Sequence, residues 1–327
     1  MRMVSMKEIA AAAGVSQATV SFVINERYKN GIKLSEEVVT RVLQYAKELG
    51  YVHNELASSM VKGESRVVAL IATFRDRDYL MPTILGYCDA AAEHGYSVRL
   101  VSLGQDINTI LTNIISFRVA GITAIEIGDE LKRKIRPDFF KYKIPQDGLQ
   151  GDTGHMSFDQ TGAAELAPEY LISLGHRKIT CVISGMDPIQ QMRLNGYLKV
   201  MRRHDLTPCF LDYEDNIGML LDALLAEKPE AVFCASDPLG LLLLQEMYRR
   251  GLRVPETFSV IGFGNVPGSD LCSPALTTVA EPYYDTGVRA FENIHSKIKT
   301  GCALSPELKP LSGLLIIRES TAPRKSN

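Results

Sequence analysis

Three short apolar patterns of helical period fill the first fifty positions. In SMKEIAAAAG, Ser5 predicts an N-cap with Glu8 reaching back to it, and the helix runs through Ile9 to Ala13 until Gly14 stops it. Val15 packs the turn, and Ser16 caps a second helix whose apolar positions Ala18, Val20, Phe22, Val23 and Ile24 ring much of its circumference. Asn25 and the polar stretch ERYKNGIK read as a loop. Ser35 opens a third helix, with Glu36 and Glu37 favourable in its first turn and Val38, Val42, Ala46 and Leu49 on one face, ending at Gly50. Three such helices enclose one small core.

After Tyr51, NELASSMVKG can form one or two helical turns over 54–61, too short to stand alone in water, so it reads as a linker that needs a partner. From Arg66 the pattern changes to runs of Val, Ile and Ala alternating with amphipathic stretches: RVVALIATF, ILGYCDAAAEHG, SVRLVSL, DINTILTNIISFR and GITAIEIG. A second series follows, GAAELAPEYLISLG, KITCVIS, QMRLNGYLKVMRRH, AVFCAS, LGLLLLQEMYRRG and FSVIGFG, closed by LTTVAE, a helix around DTGVRAFENIHSKI and a last strand GLLIIRE. Buried strands alternating with helices call for parallel sheets covered on both faces and wound right-handed. The two series predict two lobes of an α/β fold. The polar end TAPRKSN reads as disordered.

Composition narrows the class. A chain of 327 residues with 46% apolar positions is long enough for a small module and a large folded body. Net charge is −2, so any contact with a polyanion must be local. Cys88, Cys181, Cys209, Cys234, Cys272 and Cys302 are far apart with no CxxC pair and read as reduced thiols of a cytoplasmic protein. No stretch approaches eighteen uncharged apolar residues, so neither membrane spanning nor secretion is expected.

The first two helices, joined through Gly14, have the spacing of a helix-turn-helix whose second helix lies in the major groove of DNA. Its leading face supports this. Gln17 can hydrogen-bond an adenine edge, Thr19 and Ser21 can reach phosphate or base, and Ala18 and Phe22 can touch thymine methyls. Residues 1–65 carry eight Lys or Arg against seven Asp or Glu, so one copy is expected to bind weakly and a dimer is needed. GFGNVPG from Gly262 follows a strand as a dinucleotide-binding turn does, but its spacing is one residue too long and Pro267 stands in the third glycine's place. His94, His155, His176, His204 and His295 lack metal-ligand spacing, and neither GxSxG nor HExxH occurs. No metal, cofactor or catalytic constellation is expected, and His176 in GHRKI is read as orienting the loop into a strand.

AGVSQATVSFVIN, VLQYAKELGY, NELA, LISLGHRKI, RLNGY, GLRVP, SVIGFG and PALTTV resemble, in order along nearly the whole chain, the LacI/GalR family of bacterial transcription regulators. The resemblance implies a helix-turn-helix DNA-binding domain (1–52), a hinge helix and linker (53–65), and a two-lobed periplasmic-binding-protein-like effector domain that dimerises (66–327). The implied DNA-facing set is Ser5, Ser16, Gln17, Ala18, Thr19, Ser21, Phe22 and Asn25, with Asn54, Ala57 and Met60 in the hinge. Phe22 departs from the family's usual arginine, which removes a guanine-reading donor. Met60 stands where a leucine wedges into the minor groove, an apolar and flexible substitute.

For the effector, Arg193 matches the family arginine that holds ligand hydroxyls or carboxylate, Glu281 a polar position at the cleft rim, and Ser236 and Asp237 the carboxyl edge of a strand. Tyr79 and Leu80 follow the first strand and could stack on a ring. Gly264 replaces the family's aspartate, so the usual acceptor for paired sugar hydroxyls is missing. After Ile144-Pro145 the chain reads QDGLQGD, where the family has an apolar run.

The expected function is a homodimeric repressor that binds a near-palindromic operator in double-stranded DNA and responds to a small-molecule effector, a sugar or sugar derivative. The alternatives are a member that binds DNA without a sugar effector, a solute-binding protein without DNA function, and an enzyme on a doubly wound sheet.

Overall fold

The computed structural model describes residues 4–30, 33–52, 65–72, 80–103, 106–125, 127, 129–149, 158–304 and 309–324. The expected hinge residues Asn54, Ala57 and Met60, and Tyr79, lie outside them. The chain divides into two compact units, Met1–Arg66 and Val67–Asn327.

The first unit contains α1 (Met6–Ala13), α2 (Gln17–Ile24) and α3 (Glu36–Glu48). Ser5 and Glu8 form a capping box, and Gly14, with φ +63°, ends α1 in the left-handed conformation a glycine adopts without strain. Ile9, Ala10, Ala13, Val20, Val23, Val42 and Ala46 meet in one core. Two expectations are corrected. The stretch after Asn25 is not all loop, because Arg27–Asn30 makes a 3₁₀ turn. Leu49 is not on the inner face of α3: it is the C-cap residue, beyond the last helical turn, and stands 40% exposed.

The second unit has two sheets, the first all parallel and the second parallel but for its last strand. The first lobe runs β1 (Val67–Ala72), α4 (Leu80–Glu93), β2 (Ser97–Ser102), α5 (Ile107–Ser116), β3 (Gly121–Ile125), α6 (Asp129–Arg133) and β4 (Gln146–Asp147), with strand order β2-β1-β3-β4, all parallel. The polar QDGLQGD therefore does open with a short strand. Asp147 is buried there and accepts Nζ of Lys297 at 2.9 Å, an ion pair that replaces the apolar contact of the expected run.

The second lobe runs α7 (Gln160–Ser173), β5 (Ile179–Ile183), α8 (Pro188–Arg203), β6 (Cys209–Asp212), α9 (Ile217–Glu227), β7 (Ala231–Cys234), α10 (Asp237–Arg249), β8 (Ser259–Gly264) and β9 (Thr277–Ala280). The chain then forms α11 (Tyr283–Thr300) and returns as β10 (Leu314–Ile316), antiparallel to β9. The sheet order is β10-β9-β8-β7-β5-β6.

Although α11 follows a strand of the second sheet, it packs on the first: Ala290, Phe291 and Ile294 join Val68, Leu70, Tyr87 and Ala91 in one core. Glycines set how closely it approaches α4. A Cβ at Gly287 would lie 1.9 Å from the Thr83 carbonyl oxygen, and one at Gly86 2.1 Å from that of Tyr284. Only hydrogen fits at either place.

Of the tail expected to be disordered, residues 321–324 are described, and these are bound. Ala322 N–H donates to Ser259 Oγ at 3.2 Å, and Arg324 N–H donates to the Leu174 carbonyl at 2.9 Å. His176, expected to orient the loop into a strand, sits buried with Nε2 3.0 Å from the Ala322 carbonyl, and so ties α7's end to this terminal segment.

Candidate functional site

In the first unit, the exposed start of α2 is the chemically distinctive surface. Ser16 Oγ accepts Thr19 N–H at 3.1 Å and lies 2.9 Å from the Thr19 hydroxyl, so both side chains are engaged in the cap. Gln17 and Ala18 are exposed on the first turn, and Val20 and Val23 on the opposite side fix the helix to the core. Ser21 and Phe22 are half-buried. Asn25 donates from Nδ2 to the Ser21 carbonyl at 2.8 Å, which fastens the end of the helix. Of the expected DNA-facing set, then, Gln17 and Ala18 present free faces, whereas Ser5, Ser16 and Asn25 shape the helix ends. An exposed amide beside a methyl on the first turn of a rigid helix suits reading base edges in a groove.

In the second unit, the carboxyl ends of β7, β8 and β9 gather a buried polar cluster. Arg193 projects from the second turn of α8 and is only 7% exposed. Its Nη2 donates to Glu281 Oε1 at 2.6 Å, its Nε to Gln160 Oε1 at 2.8 Å, and its Nη1 to the Ala235 carbonyl at 2.7 Å. The guanidinium lies 4.0 Å from the centroid of the Phe263 ring, whose electron-rich face favours the cation. Glu281 is held from two further sides: Tyr283 Oη donates to Oε1 at 2.8 Å and Gln160 Nε2 to Oε2 at 2.8 Å. Burial, first, and the neighbouring Glu281 carboxylate push the Tyr283 phenol far above its ordinary range, so it stays a neutral donor.

Asp237, the first residue of α10, is at 0% exposure. Its Oδ1 accepts the Thr278 hydroxyl at 2.6 Å, and its Oδ2 accepts the Ser269 hydroxyl at 2.8 Å and Val266 N–H at 3.0 Å. Burial pushes its carboxyl up, and these donors oppose the shift. The aspartate expected among the effector contacts is thus committed to the loop after β8. Ser236 is the half-buried N-cap of α10, and Leu80 is buried in the first lobe's core.

Gly264 has φ +129°, and a Cβ there would lie 3.5 Å from Tyr283 Oη and 3.9 Å from Asp237 Oδ2. The space left by the missing aspartate is flanked by a tyrosine hydroxyl and an existing carboxylate. The structure therefore brings Arg193, Glu281 and Gly264 to one sheet edge and adds three residues that the sequence reading did not name: Gln160, Phe263 and Tyr283. Their signals were weak, a glutamine one residue past a helix cap, a phenylalanine in a buried strand and one of two adjacent tyrosines.

Among the described residues no group of three His, Cys, Asp or Glu could hold a metal ion, all six cysteines are free, and no helix is long and apolar enough to cross a membrane.

Comparison with known proteins agrees with both halves. Residues 5–54 match the family model for bacterial regulatory proteins of the lacI family, and residues 169–321 match a periplasmic binding protein-like domain. The HTH-type transcriptional repressor CytR of Escherichia coli (strain K12) is 31% identical over 306 residues, covering 88% of this chain and 87% of that protein. The ribose operon repressor of the same strain is 27% identical over 336 residues, 97% of this chain and 100% of its own length. Among solved structures, the lac repressor dimer bound to operator and the anti-inducer ONPF superposes with a TM-score of 0.76 at 20% identity, covering 98% of this chain and 100% of that one.

Proposed function

Since the chain belongs to the lacI family of bacterial regulatory proteins, we propose that it is a sequence-specific, DNA-binding repressor whose operator affinity is set by a small molecule held at the carboxyl edge of the second sheet. The observation that carries the DNA-binding half is the build of α2: Gln17 and Ala18 exposed on its first turn, Val20 and Val23 locking it to α1 and α3. Rigidity on one side and hydrogen-bonding groups on the other are what groove readout requires.

The working unit is a homodimer. One faintly basic module neutralises few phosphates, and two copies set on successive turns of a near-palindromic site multiply the affinity. An apolar surface suited to a second copy lies along α10, where Leu242 is 41% exposed, Tyr248 79%, and nearby Leu271 84%. A groove of about 930 Å³ there is lined by Leu242 and Tyr248 with Pro238, Leu241, Pro267 and Cys272.

Effector binding acts at a point where the lobes are joined. Glu281 lies just past β9 of the second sheet and Tyr283 opens α11, which packs on the first lobe, so a molecule that engages Glu281 touches the connection between lobes directly and one that engages Arg193 does so through its bond to Glu281. A coupling free energy of about 1–3 kcal/mol suffices to change operator occupancy. We assign no catalytic role and place the protein in the cytoplasm with its DNA target.

Selection from random duplex DNA by the purified protein, at two salt concentrations, tests the reading. Enrichment of an inverted repeat with a steep salt dependence is expected; a folded dimer that enriches nothing, with and without added metabolites, would refute it.

A further inference from the structure

Resting on the reading of this sheet edge as the effector site, we propose that Glu281 is a specificity residue which restricts the effector to uncharged, polyhydroxylated molecules and rejects phosphorylated or carboxylated ones. An unpaired buried arginine would be a strong anion site, its planar fork matching carboxylate and phosphate. Here one arm of that fork is already taken by Glu281. Arg193 is bonded to Glu281 at 2.6 Å, with side chains 8% and 11% exposed, so the positive charge is balanced by the protein's own carboxylate in a setting water screens poorly.

An anionic ligand would have to displace Glu281 or lie beside it. Displacement is opposed by the Gln160 and Tyr283 donors that hold both carboxylate oxygens. Lying beside it sets like charges together, and Asp237 adds a second carboxyl 3.9 Å from the Cβ position of Gly264. Phosphate or carboxylate oxygens bring acceptors only, and so match half of what the site offers.

A neutral hydroxyl matches both halves. Three of the guanidinium's N–H bonds are used, leaving two of its five without a partner among the described residues. Oε2 of Glu281 receives one hydrogen bond, from Gln160, and has a further lone pair. A hydroxyl can accept from the arginine and donate to the glutamate together, and a pair of adjacent hydroxyls can do so twice. The acceptor that Gly264 does not provide is supplied by Glu281 from the neighbouring strand end.

The test uses the full-length protein and calorimetry with matched pairs that differ by one phosphate: ribose and ribose 5-phosphate, adenosine and adenosine 5′-phosphate, glucose and glucose 6-phosphate. Binding of a neutral member at least about tenfold tighter than its phosphate ester is expected. Equal or tighter binding of the ester overturns the proposal, and so does a panel in which no neutral member binds. A second arm needs no knowledge of the effector. Inorganic phosphate is expected not to bind the wild type at Arg193, whereas Glu281→Gln, which keeps the shape and frees the charge, is expected to gain saturable phosphate binding that is lost again in the Arg193→Met, Glu281→Gln double variant. Phosphate binding by the wild type that Arg193→Met removes, or none by a folded Glu281→Gln variant, overturns it. Operator selection is read separately, so a failure here leaves the DNA-binding reading standing or falling on its own result.

Discussion

Glu281, just past the end of β9, and Tyr283, the first residue of α11, are hydrogen-bonded to each other at 2.8 Å through the same carboxylate oxygen that receives Arg193 at 2.6 Å. A helix-borne cation from one lobe is thereby fastened to the connection between lobes. Because both charges are buried, removing one partner leaves the other without compensation. Glu281→Ala is expected to destabilise the second unit by about 3–5 kcal/mol, and replacing both charged partners by apolar residues, Arg193→Met with Glu281→Leu, is expected to recover much of that loss. Urea unfolding of the single and double variants gives the coupling directly. Additive losses would mean that the pair is not the unit that matters.

Tyr283→Phe removes one donor to a buried carboxylate and leaves the ring. The expected loss is about 1.5–3 kcal/mol, the range for a hydrogen bond to a charged group. A midpoint unchanged in urea would show that the phenol contributes packing alone.

At Gly287, by contrast, steric exclusion dominates. A Cβ there would stand 1.9 Å from the Thr83 carbonyl oxygen and 2.8 Å from the Tyr87 nitrogen, both backbone atoms that cannot turn aside. Gly287→Ala must therefore separate α11 from α4, and a cost above the usual overpacking range of about 1–3 kcal/mol is expected. Gly14→Ala makes a useful contrast, since nothing lies within 4 Å of its added Cβ and the left-handed backbone alone is strained. Thermal melting ranks the two, with Gly287→Ala the lower.

The pH dependence of stability follows from His176. Burial holds its imidazole below the usual histidine value, with hydrogen bonding to Ala322 and the charge of Glu230 opposing. Nδ1 is buried without a partner among the described residues, so a second proton there would go unbonded. The unfolded chain binds that proton more readily than the folded one. The stabilisation is thus complete above the unfolded value of about 6.5 and is lost as pH falls below it. Urea midpoints measured from pH 8 to pH 5.5 are expected to fall on the acid side, and less so in His176→Asn.

Much of this architecture was legible in advance because burial on both sides writes itself into composition. β1, β3, β5, β7 and β8 are almost wholly buried runs rich in Val, Ile, Ala and Phe, and α4, α5, α7, α8 and α10 between them are legible with them. α6, β6 and α9 are not, β6 because it is an edge strand of alternating half-buried and exposed residues and gives no such run. The binding of residues 321–324 is hidden for a related reason: they are held mainly by backbone and hydroxyl hydrogen bonds, which polar composition does not reveal. At the sheet edge, Arg193 and Glu281 could be named from matching motifs, but their 88-residue separation hid that they bind each other. A pairing of that kind is a property of topology.

The exposed first turn of α2 separates base reading from folding. Gln17 is exposed on the first turn, with no role in the cap that Ser16 and Thr19 form, so Gln17→Ala should leave the module folded. It should cost about 1–3 kcal/mol of discrimination at one base pair in each half-site while leaving the salt dependence unchanged, since an amide neutralises no phosphate. Phe22 is half-buried one turn later, where its ring can meet a thymine methyl but offers no donor. Phe22→Arg is expected to shift preference at a different base pair toward guanine and to steepen the salt dependence. The two variants can be read in the same selection as the wild type. If each relaxes or redirects a separate position, the helix is docked in the groove by its first two turns; if both lower affinity uniformly across sequences, these side chains act on the backbone and the bases are read from elsewhere.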